Sequence, residues 1–95
     1  MAKYRLSNEA KEDLIRIHHY GIKTFGMAQA DKYYDTFFAY FDIIAQWPYS
    51  FESVNHIKTG HRRCVCGSDS IYYKINEDMV EIMAIVGRQD LDTIL

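Results

Sequence analysis

A chain of 95 residues, 48% of them hydrophobic and 15% aromatic, has room for one domain around one core, expected here over 1–95, and is too apolar for an intrinsically disordered protein. Its net charge of −2 and pI near 6.0 lack the basic footprint of a nucleic-acid binder, for which a domain pI above ~9 is common, and favour a protein target. No apolar run approaches the ~20 residues of a membrane span, and the opening Met1-Ala2-Lys3-Tyr4-Arg5 has no signal-peptide core, so a soluble cytoplasmic protein is expected.

Residues 2–6 alternate and read as a short strand. Ser7 or Asn8 can cap a helix, and Glu9, Glu12 and Asp13 bring negative charge to its first turns, where the helix dipole favours it. Ala10, Leu14, Ile17, Gly21 and Phe25 recur at spacings of four and three, one face of an amphipathic helix over about 8–24, which Gly26 ends. A second helix over 27–47 carries Ala30, Tyr34, Phe37, Phe41 and Ile44, widened by Phe38 and Ala45, and Pro48 stops it. The aromatic stripe reads as core, and the break at Gly26 folds the two helices into an antiparallel hairpin.

Residues 48–60 read as a polar loop. Three strands come next: 61–66, 70–75 and 79–86, joined by turns at Gly67-Ser68-Asp69 and Asn76-Glu77-Asp78. Simple alternation on the last strand puts Val80, Ile82, Ala84 and Val86 on one face and Glu81, Met83 and Ile85 on the other, so that it is apolar on both. The order strand, helix, helix, three-stranded antiparallel meander defines an α+β fold whose helix hairpin covers one sheet face and leaves the other to water or a partner. Cys64 and Cys66, two apart on a strand, share a face near the ~7 Å limit for a disulfide and read as free, packed thiols. With His56 and His61 they match no zinc spacing, so no metal and no cofactor is expected.

Several runs carry a family resemblance. Ala28-Gln29-Ala30-Asp31 and Tyr34 open the second helix and Trp47-Pro48 closes it. Gly60-His61-Arg62-Arg63, then Tyr72-Tyr73, then a strand ending Gly87-Arg88-Gln89-Asp90-Leu91 complete the set. Their order and spacing resemble the ParE branch of the ParE/RelE toxin superfamily over essentially the whole chain. The resemblance implies the toxin of a type II toxin–antitoxin pair, which poisons DNA gyrase, blocks replication and is neutralised by a ParD-like antitoxin in an oligomeric complex. RelE-type relatives imply the alternative, a ribosome-dependent messenger RNA endoribonuclease.

The residues favour the binder. Cleaving RNA through the 2′-hydroxyl needs a general base, a general acid and cations around the phosphate. Lys58, Arg62, Arg63, Lys74 and Arg88 are candidate cations and His56 and His61 candidate bases, but the tail after the last strand holds no Tyr, His or Lys. No catalytic residue and no sequence-specific nucleic-acid binding is therefore expected. The expected target contacts are Arg62, Arg63 and the tail residues Arg88, Gln89, Asp90, Leu91, Ile94 and Leu95. Expected antitoxin contacts are Tyr73 with Met83 and Ile85 on the outward face of the last strand.

Overall fold

The computed structural model describes residues 3–87. Strand β1 (Lys3–Leu6) leads into α1 (Asn8–Phe25), and α2 (Met27–Gln46) begins after Gly26. A two-residue strand β2 (Glu52–Ser53) precedes the meander β3 (His61–Cys66), β4 (Asp69–Asn76) and β5 (Met79–Gly87). Among the described residues the sheet has five strands in the order β1-β5-β4-β3-β2, with β1 parallel to β5 and the other pairs antiparallel. The helix hairpin covers one face, as the sequence predicts, and no described helix is long and apolar enough to cross a membrane.

Local chemistry sets the helix limits. Ser7 caps α1, its Oγ accepting from the Ala10 amide at 3.0 Å. Gly26, at φ 89°, turns the chain between the helices. At Gly21 a Cβ would stand 3.2 Å from that of Ala30, so glycine lets the two helices approach closely. The core joins Ala10, Leu14 and Ile17 of α1 to Phe37, Phe41 and Ile44 of α2, over Ile71, Tyr73, Val80, Ile82 and Ile85 of the sheet. Phe25 departs from the expected apolar face and is 66% exposed. Cys64 and Cys66 are buried and free, and burial pushes their thiols up to about 11 and about 12 respectively, so both stay protonated.

Two features escape simple alternation. Strand β2 lies within the stretch read as a loop, pairing Glu52 with Arg63 and Ser53 with Arg62. On β5, Tyr72 faces Ala84 while Tyr73 faces Ile82, leaving Met83 as the extra residue of a β-bulge. The bulge reverses the facing of the residues beyond it, so Ile85 enters the core with Val80 and Ile82 while Ala84 and Val86 turn to the open face.

Strand β1 ends at Leu6, opposite Ile82, so among the described residues the remainder of β5 has no strand along that edge. Helix α1 takes its place. The Ser7 amide donates to the Ile82 carbonyl at 3.0 Å and the Ser7 hydroxyl to the Met83 carbonyl at 2.9 Å. Asp13 Oδ2 accepts from the Ile85 amide at 2.9 Å, and Arg16 Nη2 donates to the Ile85 carbonyl at 3.2 Å.

Removing the Asp13 acceptor leaves the Ile85 amide unpaired, which costs about 1–3 kcal/mol. Urea unfolding should therefore show Asp13→Ala destabilised by that amount and Asp13→Asn, which keeps an acceptor oxygen, by clearly less; equal losses would show that the carboxylate charge matters and the acceptor does not. In the β4–β5 turn Glu77 holds φ 57°, a conformation costing a non-glycine residue about 1–2 kcal/mol. Glycine there relieves that cost but loosens the unfolded chain by about 0.4–1 kcal/mol. Glu77→Gly should raise stability by a net of up to about 1.6 kcal/mol in the same measurement.

Candidate functional site

The face of the sheet opposite the helices carries Arg63 and Val65 from β3, Ser70, Tyr72 and Lys74 from β4, and Glu81, Ala84 and Val86 from β5. Arg63 lies opposite both Glu52 and Tyr72. Its Nε donates to Glu52 Oε1 at 2.7 Å, and a second guanidinium nitrogen pairs with the same oxygen. The hydrogen bond to Glu52, then that to Tyr72, secures the charged guanidinium. Arg5 Nη2 donates to Glu81 Oε2 at 2.7 Å, and with Asn76 it holds the Glu81 carboxyl below its ordinary range. A small apolar centre, Val65, Tyr72, Ala84 and Val86, is thus bordered by paired charges.

Arg62 points the other way, as neighbours on a strand do. Its Nη1 donates to the Phe51 carbonyl at 2.7 Å and its guanidinium lies 5.2 Å from the centre of the Tyr49 ring. Beside it the Tyr73 hydroxyl donates to the Pro48 carbonyl at 2.7 Å, and burial pushes that phenol up to about 12, keeping it a donor. Arg62 and Tyr73 together tie the segment after α2 to the sheet. Of the candidate bases, His61 is buried with Nδ1 3.0 Å from the Thr59 carbonyl, and its Nε2 has no hydrogen-bond partner among the described residues. His56 is exposed on the loop before β3.

The sequence-predicted contacts therefore separate. Arg62 and Arg63 serve opposite faces. Tyr73 and Ile85 are fully buried and offer no side-chain surface to an antitoxin, which corrects their expected role: Tyr73 is needed under the helices and the Met83 bulge turns Ile85 inward. Met83 is partly exposed, its carbonyl taken by Ser7. Arg88, Gln89, Asp90, Leu91, Ile94 and Leu95 lie outside the described residues.

Sequence patterns did not anticipate a cleft of about 660 Å³ at the mouth of the helix hairpin, where α1 ends and α2 begins, bounded below by the β3–β4 turn and by Gly87. Tyr33 forms its floor, with its hydroxyl 2.7 Å from Asp69 Oδ2 and 2.9 Å from the Cys66 carbonyl. Burial, then the bond to Asp69, raises the Tyr33 pKa. The fit is tight: a Cβ on Gly67, which holds φ 61°, would meet the Tyr33 oxygen at 2.8 Å. On one side His18 Nε2 lies 2.7 Å from Asp31 Oδ1, bridging the two helices, with the His18 ring against Tyr34 at 5.2 Å. The turn Gly67-Ser68, read with only two residues between paired strands, is the sequence signal that would have put Asp69 at the head of β4 and beside this cleft. Exposed apolar side chains continue around the hairpin at Tyr20, Phe25 and Met27; Ile43 and Trp47 are exposed at the far end of α2, and Tyr49 and Ile57 in the segment that follows it.

Comparison with known proteins accords with this architecture. The family described as "ParE toxin of type II toxin-antitoxin system, parDE" matches residues 4–91. Toxin ParE1 of Caulobacter vibrioides is 34% identical over 86 residues, covering 90% of this chain and 88% of that protein. Among solved structures, a chromosomal ParDE toxin–antitoxin system from P. aeruginosa superposes with a TM-score of 0.81 at 16% identity, covering 92% of this chain and 96% of that one. A chain of the RelBE2 toxin–antitoxin complex of Mycobacterium tuberculosis gives 0.63 at 14% identity, covering 92% and 98%. At those identities the structures speak for the fold, and the family and the relative speak for membership. The chain belongs to the ParE toxins of type II toxin–antitoxin systems.

Proposed function

We propose that this toxin acts by binding DNA gyrase and blocking its cycle, without acid–base chemistry of its own, in the cytoplasm, and that a ParD-like antitoxin neutralises it in an oligomeric complex. The observation that supports a binder is the commitment of three groups that could serve catalysis. Arg62 holds the Phe51 carbonyl, Arg63 is paired with Glu52, and His61 is buried against Thr59. A proton-transfer group must reach a substrate atom at hydrogen-bond distance, and these are engaged in holding the β2–β3 edge together. Tyr72 beside Arg63 on the open face is the feature that favours the ribonuclease alternative.

The antitoxin reading rests on family membership and on the exposed apolar groups along the helix hairpin and around Trp47. Apolar surface marks interfaces where it is contiguous over more than a few hundred Å². An amphipathic antitoxin segment laid along the hairpin would cover it. In the tail, Arg88 is the residue proposed to meet gyrase, since arginine is enriched at interface hot spots and its planar fork makes paired hydrogen bonds.

With purified gyrase, the toxin should inhibit supercoiling and leave messenger RNA on programmed ribosomes intact. Codon-specific cleavage abolished by Arg63→Ala or Tyr72→Phe would establish the ribonuclease instead. Arg88→Ala should weaken gyrase inhibition about thirtyfold, the size of a ~2 kcal/mol hot spot, with the unfolding midpoint unchanged. Arg62→Ala should do the opposite: it frees the Phe51 carbonyl and lowers stability by about 1–3 kcal/mol in a denaturation curve.

A further inference from the structure

The sheet face away from the helices has an order that the strand register sets. Lys3 and Arg5 of β1 lie on it, since Tyr4 and Leu6, which alternate with them, pack against the core. Arg5, Glu81 and Lys74 stand side by side across β1, β5 and β4. One row on, Ala84, Tyr72, Arg63 and Glu52 cross β5, β4, β3 and β2. Val86, Ser70 and Val65 make the next row. The face therefore runs from charged to aliphatic between Lys74 and Ser70 of β4, a strand length of roughly 14 Å. Val65, at the aliphatic end, is 58% exposed.

Charge is unevenly shared between this face and the rest of the chain. Within the strands the face carries four cations, Lys3, Arg5, Arg63 and Lys74, against the two carboxylates of Glu52 and Glu81. The whole chain, by contrast, has a net charge of −2. Arg5 and Arg63 are held in ion pairs with Glu81 and Glu52, whereas Lys3 and Lys74 form none among the described residues. A surface whose sign opposes that of the chain steers an acidic partner toward it. Nucleic acid is the poorer fit. It asks for cations open to phosphates and for aromatic rings under successive bases. Two of the four cations here are paired, and Tyr72 is the one aromatic residue in these rows. A protein surface that sets carboxylates beside an aliphatic side chain matches both ends of the face.

We propose that this face is where the toxin holds its target, and that the target segment is acidic at one end and aliphatic at the other. Its carboxylates meet Lys74 and Lys3, and its aliphatic side chain rests on Val65, Ala84 and Val86. This assignment rests on the reading that gyrase is the target.

The test is surface plasmon resonance of the full-length toxin on immobilised gyrase holoenzyme. Val65→Asp at the aliphatic end and, independently, Lys74→Gln at the charged end should each weaken binding about tenfold, with the folded state intact by circular dichroism. Lys32→Gln, which removes the same charge from an exposed position on α2, should leave binding unchanged. The Lys74→Gln loss should lie mostly in the association rate. It should shrink between about 0.1 M and about 1 M salt, as the screening length falls from about 10 Å to about 3 Å. No binding of gyrase by the unaltered toxin would remove the target reading and this assignment with it. Binding by both variants as tight as the parent's would overturn the assignment alone and leave gyrase as the target. So would variants that keep their gyrase affinity and lose cleavage of messenger RNA on programmed ribosomes, which would give the face to nucleic acid. Variants that keep gyrase affinity and lose antitoxin binding would overturn it as well, and give the face to the antitoxin.

Discussion

Among the described residues strand β5 is flanked by β1 along its first four residues only, and the way its remaining edge is completed governs the rest of the structure. A strand buried under helices cannot leave its amides and carbonyls without partners. Where β1 runs out at Leu6, Ser7, Asp13 and Arg16 supply side-chain and main-chain groups for Ile82, Met83 and Ile85. These bonds are directional, whereas the apolar contacts of Ala10, Leu14 and Ile17 are not. Hydrophobic burial brings α1 to the sheet, and the polar bonds select the one rotation and translation in which Asp13 meets the Ile85 amide. Gly21 then admits Ala30 at close range, so the placement of α1 determines that of α2.

The same edge explains the bulge. Ser7 caps the helix and also meets the Met83 carbonyl, which fixes Met83 at the exit of β1. Beyond it, Ile85 fills the core under α1 and the open face receives Ala84 and Val86. Without the extra residue, the apolar set of β5 beyond Ile82 would reverse faces, since side chains alternate with a period of two. The bulge therefore decides both what the helices rest on and what the open face shows.

Much of this architecture was legible in the sequence. The spacing of Ala10, Leu14 and Ile17, the aromatic series from Tyr34 to Phe41, the Ser7 cap, Gly26 and Pro48 locate both helices to within a residue or two, because each signal acts through near neighbours in the chain. The meander is legible for the same reason, through its turns. The hidden features depend on distant partners. Nothing local distinguishes Met83 as a bulge residue, and Asp13 reads as charge in the helix's first turns until Ile85 is set beside it. The two residues of β2 gain their strand character only from Arg62 and Arg63. Ile85 reads as partner surface only while the extra residue at Met83 goes uncounted, and Tyr73 only while the side of the sheet that the helices cover is undetermined. The cleft, assembled from the helix hairpin, a turn and the end of β5, has no contiguous signature at all.

Alternation also separates what makes this chain a member of its fold from what makes it act. The helices constrain only every second residue of β3, β4 and β5. The intervening positions, Arg63, Tyr72, Lys74 and Glu81 among them, can change without disturbing the packing beneath, so one backbone can be shared at 16% identity and below while the open face differs. In this chain the charges of that face are set largely against one another, Arg63 with Glu52 and Arg5 with Glu81. An anionic backbone attracts a protein through cations left available to its phosphates, and a guanidinium already paired with a carboxylate contributes little to such a field. The pairing of Arg63 thus works against phosphate capture at the position where the sheet offers it best, and it leaves the apolar patch around Tyr72 and Ala84 as the distinctive chemistry of the open face, a surface suited to another protein.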